Sequence, residues 1–158
     1  VQRVRDLPHH VPELVRLAAE NDLVMQVHGD PAVVAEILSS DPGPTVIWAH
    51  LGTDPRPAVL RAMLSRFPEN LFVDTSVRDG RFVDDTGRLR EQWRRFFVEH
   101  ADRVLVGVDT YWTRRWKEYG AEAARIRAWL AQLPEDVADR LASGNMRRLF
   151  GPPDETAR

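Results

Sequence analysis

With 158 residues, a formal charge of −2 and no cysteine, the chain has room for one domain with its own core and no room for a second. Acidic and basic residues interleave along the sequence, so the charge predicts neither a nucleic-acid partner nor a membrane surface. The lack of cysteine excludes disulfides, thiolate zinc sites and a cysteine nucleophile, so any metal must be bound by His and carboxylate groups.

Short apolar runs alternate with amphipathic helical segments four times along the chain. The runs are LVMQVH ending at His28, TVIWAH ending at His50, LFVDTS ending at Ser76 and RVLVGVD ending at Asp109. Periodicity predicts helices at residues 12–21, 31–39, 55–67, 89–100 and 113–132, and a closing helix from 134. Continuous apolar strands separated by helices indicate parallel strands buried on both faces, and therefore an α/β fold.

Two Asp-Pro pairs mark predicted helix starts. Asp30 and Asp54 each precede a proline, which places a capping carboxylate before a proline at the first helical position. Three tryptophans, Trp93, Trp116 and Trp129, fall within predicted helices and are expected on their core faces.

The sequence also gives expectations about the compartment and about the two ends of the chain. No apolar run approaches the roughly 20 residues that cross a bilayer, and no signal pattern is visible, so the cytoplasm is the default compartment. The sequence opens at Val1 rather than at methionine, and we expect a fragment of a longer chain. We expect one domain over residues 1–151 and a frayed polar tail over residues 152–158.

Ionisable groups end three of the four apolar runs, namely His28, His50 and Asp109. The carboxyl ends of parallel strands meet at one rim, where ligands and catalytic groups collect. One histidine at a strand end is usually only a hydrogen-bonded residue near a turn. Two imidazoles and a carboxylate in matching positions favour a site for zinc or a similar divalent ion, which acidifies a water for hydrolysis.

Residues near the strand ends could assist this site. Gln26 shares a strand face with His28 and is a candidate partner of the metal ligands. Asp74 could bind substrate, orient a neighbouring group or cap the turn after its strand.

The loops beyond the strands carry further candidates. Arg78, Arg114 and Arg115 could pair with a substrate carboxylate, although solvated surface is the better interpretation for each alone. Tyr111 and Trp112 could wall a substrate pocket or pack under their loop.

The strings MQVHGDP, VIWAHLGTDP, NLFVDTSVRDG, RVLVGVDTYW and GNMRRLF resemble successive signatures of the amidohydrolase-related metal-dependent hydrolases. The resemblance covers nearly the whole chain and implies strands 5–8 of a (β/α)8 barrel, its C-terminal half only. It implies that His28 is a metal ligand and that His50 ligates metal or acts as general acid or base. It also implies that Asp109 binds metal and accepts a proton from the attacking water.

The sequence departs from the family at its first strand, which ends in a His-x-His pair. His9 and His10 are adjacent, so they would point to opposite faces of a strand and could not replace that pair; we expect them in a loop. A complete barrel takes about 250 residues, and we expect the missing half to precede Val1.

The resulting expectation is a metal-dependent hydrolase of a small amide, ester or lactone, with Asp109 and His50 catalytic and Arg78, Trp112 and Asp74 binding substrate. Zinc is the expected metal. Two alternatives stay open: a metal-dependent non-oxidative decarboxylase with Arg78 as its carboxylate clamp, and a truncated half-barrel without activity. An open half-barrel exposes strand edges, so the expected partner besides a small-molecule substrate is a second copy or the missing half.

Overall fold

The computed structural model describes residues 10–151, apart from the side chain of Asp79. The predictions for the tail at 152–158 and for His9 fall outside these residues. The chain forms two compact units that divide between Asp74 and Thr75. The part up to Asp74 is called the N-terminal unit below, and the part from Thr75 the C-terminal unit.

The N-terminal unit alternates helices and parallel strands. Its elements are α1 (Val11–Glu20), β1 (Val24–Val27), α2 (Pro31–Ser40), β2 (Thr45–Trp48), a 3-10 turn (Ala49–Leu51), α3 (Pro57–Arg66) and β3 (Leu71–Asp74). The strands pair in the order β1-β2-β3, with Val24 beside Thr45 and Val46 beside Leu71. The predicted α/β arrangement with parallel strands is confirmed.

The apolar sequence of the strands matches their burial. Every residue of β3 is buried, and so are the last three residues of β2. A parallel sheet that is buried on both faces requires such continuous apolar runs. β1 differs, since none of its residues is fully buried.

One of the two predicted Asp-Pro caps is present. Asp30 caps α2, because its carboxylate accepts hydrogen bonds from the backbone N–H groups of Ala32 and Val33 at 3.0 Å. Pro31 occupies the first turn of that helix, where its missing N–H leaves no hydrogen bond unmade.

The other predicted cap, Asp54, is wrong. Helix α3 begins at Pro57, with Arg56 in an extended conformation at the cap position. A proline disfavours helical backbone in the residue before it, so Pro57 keeps Arg56 out of the helix. Asp54 instead forms an exposed ion pair with Arg56 at 2.9 Å.

The C-terminal unit is mainly helical. Its elements are α4 (Asp79–Phe82), α5 (Glu91–Glu99), β4 (Val104–Leu105), α6 (Thr113–Leu130), α7 (Glu135–Asp139), a π-helical turn (Arg140–Gly144) and α8 (Asn145–Phe150). The carbonyl of Leu105 in β4 accepts a hydrogen bond from the N–H of Thr75 at 3.0 Å. No helix among the described residues combines the length and apolar character needed to cross a membrane.

An aromatic cluster forms the core of the C-terminal unit. Phe82 contacts the rings of Trp93, Phe97 and Trp129 at centroid distances of 4.9–5.5 Å. The predicted core positions of Trp93 and Trp129 are confirmed, since both are buried.

The predicted core position of Trp116 is wrong. The buried residues of α6 are Ile126, Trp129 and Leu130, all near its C-terminal end. Trp116 lies in the other half of the helix, is 64% exposed and stacks on Tyr119.

Asn145 fastens the closing helix to β4. It is buried, and its side-chain amide donates to the carbonyls of Ala101 at 2.7 Å and Val104 at 2.8 Å. These bonds satisfy carbonyls at either end of the turn that leads into β4, which stabilises a strand of only two residues.

Candidate functional site

Two imidazole rings meet at the carboxyl end of the sheet in the N-terminal unit. His28 directly follows β1 and His50 follows the neighbouring strand β2. Their ring centroids lie 4.9 Å apart with the ring planes at 85°. The structure therefore brings together the two histidines that the sequence analysis placed at one rim.

His50 lies in a turn with an unusual backbone. Three consecutive residues have positive φ: His50 at 59°, Leu51 at 54° and Gly52 at 81°. Left-handed backbone is unfavourable for residues with a Cβ, and such strain collects at functional sites. The prediction that His50 is the last residue of its strand is wrong, because β2 ends at Trp48 and this turn breaks the extended backbone.

Trp48 and Gly52 explain why the turn is possible. A Cβ on Gly52 would lie only 2.4 Å from the ring of Trp48, so only glycine fits there. The indole N–H of Trp48 donates to the carbonyl of Gly29 at 2.9 Å. This bond connects the turn after β1, which follows His28, with the last residue of β2, directly before the turn that carries His50.

Asp74, at the end of β3, is the buried acceptor of this region. Its Oδ2 accepts from the backbone N–H of His50 at 3.2 Å and from the side-chain amide of Gln26 at 3.3 Å. Its Oδ1 lies 3.9 Å from Nδ1 of His50. Among the roles left open for Asp74, these contacts favour orientation of His50; substrate binding by Asp74 stays a prediction.

In the C-terminal unit, Asp109 lies four residues beyond β4 rather than at its end, so that strand boundary was predicted wrongly. Its backbone has a φ of 54°, in the left-handed region. One carboxylate oxygen accepts from the N–H of Tyr111 at 3.2 Å. Asp109 also lines a cavity of about 410 Å³ with Tyr111, Trp112, Arg114 and Arg115.

The aromatic residues of this cavity are exposed, Tyr111 at 83% and Trp112 at 65%. The alternative that they pack under their loop is therefore wrong. A role for Trp112 in substrate binding stays a prediction.

The three candidate arginines differ in their contacts. Arg115 donates to the backbone carbonyls of Asp109 and Val108, and Arg114 pairs with Glu118 at 3.0 Å. Arg78 precedes α4, and its N–H donates to the carbonyl of Thr75. A substrate contact by Arg78 stays a prediction.

Sequence reasoning missed the left-handed turn at 50–52 and the backbone contacts of Arg115. Gly52, two residues after a candidate ligand, was the available signal for the turn. It also missed a second cavity of about 460 Å³ in the C-terminal unit, which Val77, Arg115 and Trp129 help to line.

The donor types in the N-terminal unit, two imidazoles and a carboxylate, suit a divalent ion such as zinc. Neither unit, among its described residues, contains a group of three or more His, Asp or Glu side chains arranged to hold an ion. The residues fit a metal by chemistry and by the pairing of His28 with His50, and an ion bound there would need further donors.

The chain matches the family model described as amidohydrolase over residues 2–151. It therefore belongs to the amidohydrolase family, and the resemblance inferred from its sequence motifs is confirmed. None of the curated proteins gives a significant match.

Solved structures agree with the fold. An uncharacterized TIM-barrel protein from Bordetella bronchiseptica matches with a TM-score of 0.64 at 21% identity, covering 94% of this chain and 52% of that chain. An amidohydrolase from Burkholderia multivorans matches in two crystal forms at 16% identity. The form with bound zinc has a TM-score of 0.61 and covers 90% of this chain and 57% of that chain. The form with bound HEPES has a TM-score of 0.58 and covers 88% and 56%.

These matches confirm a partial TIM-barrel fold for the chain. The chain spans little more than half the length of the barrel proteins it matches.

Proposed function

We propose that this chain supplies part of the active site of a metal-dependent hydrolase that acts on a small amide, ester or lactone. Membership of the amidohydrolase family supports a hydrolase or decarboxylase type of chemistry. The observation that carries the proposal is the pair of imidazoles, His28 and His50, with ring centroids 4.9 Å apart beside the buried carboxylate of Asp74.

The pairing favours a ligand site over two unrelated histidines. Each ring follows a different strand of one sheet, and the turn that carries His50 has strained backbone. A fold tolerates such strain where the position of the side chain matters for function. Zinc is the expected ion because His and carboxylate are its ligands when cysteine is absent.

The residues would divide the work as follows. His28 and Asp109 would bind the ion, which when bound acts as a Lewis acid and acidifies a water. Asp109 would accept the proton of that water. His50, with its backbone N–H held by Asp74, would bind the same ion; the other role that the family resemblance implies for it is that of general acid or base.

The cavity beside Asp109 would bind the substrate. Its volume of about 410 Å³ lies within the range of small-molecule sites. Trp112 would contact the flat part of the substrate, and Arg78 would bind a carboxylate if the substrate carries one.

An ion at this site would need further ligands. By the family resemblance, these would be the His-x-His pair of a first half-barrel. A second copy of the chain is the alternative source of a closed barrel, but it would not supply that pair.

Metal content tests this proposal. The full chain and its His28→Ala, His50→Ala and Asp109→Ala variants are dialysed against buffered zinc, and bound metal is measured by mass spectrometry. His10→Ala is the matched control, because His10 is exposed and precedes α1. We expect bound zinc in the parent and the control and loss of most of it in the three variants; equal zinc in all five proteins would refute the site.

Product analysis then separates the reactions. Incorporation of oxygen from labelled water supports a hydrolase, whereas release of carbon dioxide without that incorporation identifies the decarboxylase. Metal binding without turnover of any substrate, also after a first half-barrel is supplied, would support a chain that is not catalytic.

A further inference from the structure

We infer that Arg115 is a positioning residue that holds the backbone of the Asp109 loop and so fixes where the Asp109 carboxylate points. This inference rests on the proposed function, because it takes Asp109 as a metal ligand. The loop in question, residues 106–112, connects β4 to α6.

The contacts of Arg115 are with main-chain atoms. Arg115 lies in the first turn of α6, and its guanidinium reaches back to the preceding loop. Its Nε donates to the carbonyl of Asp109 at 2.5 Å and a terminal nitrogen donates to the carbonyl of Val108 at 2.7 Å. Two successive carbonyls are therefore bound by one planar group, a geometry that the fixed fork of arginine permits.

The loop needs such support at Asp109. The left-handed backbone of Asp109, with φ of 54°, is less favourable than extended or helical backbone for a residue with a Cβ. The carboxylate also accepts from the N–H of Tyr111, two residues later, which is a local turn typical of aspartate. The backbone carbonyl of Asp109 is thus bound by Arg115 and its side-chain carboxylate by the N–H of Tyr111. Both the backbone and the side chain of Asp109 are therefore held in place.

The neighbouring Arg114 provides a control within the same turn. Arg114 has the same charge and lines the same cavity, but its guanidinium pairs with Glu118 on the next turn of α6. Replacing Arg114 removes a positive charge near Asp109 without removing these donors to the loop carbonyls.

A positioning role and a purely electrostatic role of Arg115 predict opposite changes in metal affinity when Arg115 is replaced. If Arg115 acted only through its charge, its removal would strengthen binding of a cation nearby. If Arg115 positions Asp109, its removal weakens binding, since loss of a residue that orients a metal ligand reduces metal affinity by about 10–100-fold.

The experiment titrates Co²⁺ into the full chain and its Arg115→Ala, Arg115→Lys and Arg114→Ala variants, with the visible absorption of Co²⁺ reporting affinity and coordination. We expect Co²⁺ affinity to fall by about tenfold or more in both Arg115 variants, together with a changed absorption band. In Arg114→Ala we expect the affinity to change by at most about twofold. Lysine keeps the charge but not the fork, so unchanged affinity in Arg115→Lys, or tighter binding in Arg115→Ala, would overturn the inference.

Hydrogen exchange of the loop is measured on the same four proteins without metal. Faster exchange at residues 106–112 in the two Arg115 variants alone supports the contact with the loop. Equal exchange in all four proteins would overturn it, whatever the titration shows. Absence of Co²⁺ binding by the parent chain is a different result: it would refute the proposed function, and the metal-positioning role of Arg115 with it.

Discussion

The two compact units hold their candidate site residues by different means. In the N-terminal unit, His28 and His50 follow paired strands, and a buried carboxylate, Asp74, accepts hydrogen bonds from both the turn and the sheet. In the C-terminal unit, Asp109 lies four residues beyond a strand of two residues and is held by hydrogen bonds from α6 and from its own loop. The first site region depends on the packed sheet, whereas the second depends on a few local hydrogen bonds.

The largest expected effect on folding stability comes from a substitution at Gly52, where the N-terminal unit has no space for a side chain. Gly52→Ala places a Cβ against the ring of Trp48 at a position with positive φ. We expect a loss of about 3 kcal/mol in the free energy of unfolding, from the left-handed backbone and the overpacking together. Urea denaturation measures it.

Gly120→Ala is the matched control for that substitution. Gly120 lies inside α6 with nothing within 4 Å of its ideal Cβ, so alanine there should stabilise by about 0.5–1 kcal/mol. Equal destabilisation by both substitutions would mean that the close contact with Trp48 does not constrain the turn.

Asn145→Ala tests how β4 is fastened in the C-terminal unit. The substitution leaves two buried carbonyls, those of Ala101 and Val104, without this donor. We expect a loss of about 2 kcal/mol in the free energy of unfolding, measured by urea denaturation. Asn21→Ala is the control, because Asn21 also donates to a carbonyl but in an exposed position; a similar loss in both variants would show that burial does not matter here.

Asp74→Ala tests the orientation of His50. The backbone N–H of His50 and the amide of Gln26 lose their acceptor, so we expect the free energy of unfolding to fall by about 1–2 kcal/mol. Asp74→Asn keeps a side-chain oxygen as an acceptor, so its free energy of unfolding should fall by less. Nuclear magnetic resonance of the His50 ring provides the second measurement, and an unchanged ring environment in Asp74→Ala would contradict the orienting role.

The smallest effect concerns the pH dependence of the loop at Asp84. Hydrogen bonds from the Thr86 hydroxyl and from the N–H groups of Arg88 and Thr86 lower the pKa of Asp84 below its ordinary value. A lowered pKa in the folded state means that the charged form stabilises the fold above the ordinary pKa, and that this contribution disappears as pH falls through the folded pKa.

Asp84→Asn should therefore lower the melting temperature slightly at neutral pH, and the difference should vanish in acid. The melting temperatures of the two proteins across pH measure this. A difference that is constant with pH would show that the charge of Asp84 makes no contribution.

The sequence predicted the parts of the fold that burial determines. Strands covered on both faces need continuous apolar runs, so the buried strands β2 and β3 were readable from the sequence. The predicted helix bounds agree with the observed ones to within two residues. The strand ends were predicted less well. The turn at His50 depends on a contact with Asp74, 24 residues away in the sequence, and β4 ends at Leu105 although the apolar run continues to Val108. The exposure of Trp116 was missed because α6 packs only near its C-terminal end.

For the site, residue type and position identified His28 and His50, which the structure brings together. The contact of Asp74 with the backbone of His50 joins residues 24 apart in sequence and needs the coordinates. Arg115 illustrates the same limit. The sequence favoured a solvated surface position for it, with a substrate carboxylate as the other interpretation. Its partners are backbone carbonyls, which all residues carry and which no sequence pattern marks.

The central claim is that His28 and His50 bind one shared ion. The most direct measurement is Co²⁺ affinity in the parent chain, His28→Ala, His50→Ala and the double variant. If the two rings bind the same ion, we expect the double variant to bind Co²⁺ little worse than either single variant. The loss of binding free energy in the double variant should then be smaller than the sum of the two single losses by about 1 kcal/mol or more. Losses that simply add, or affinities equal to that of the parent, would contradict the claim.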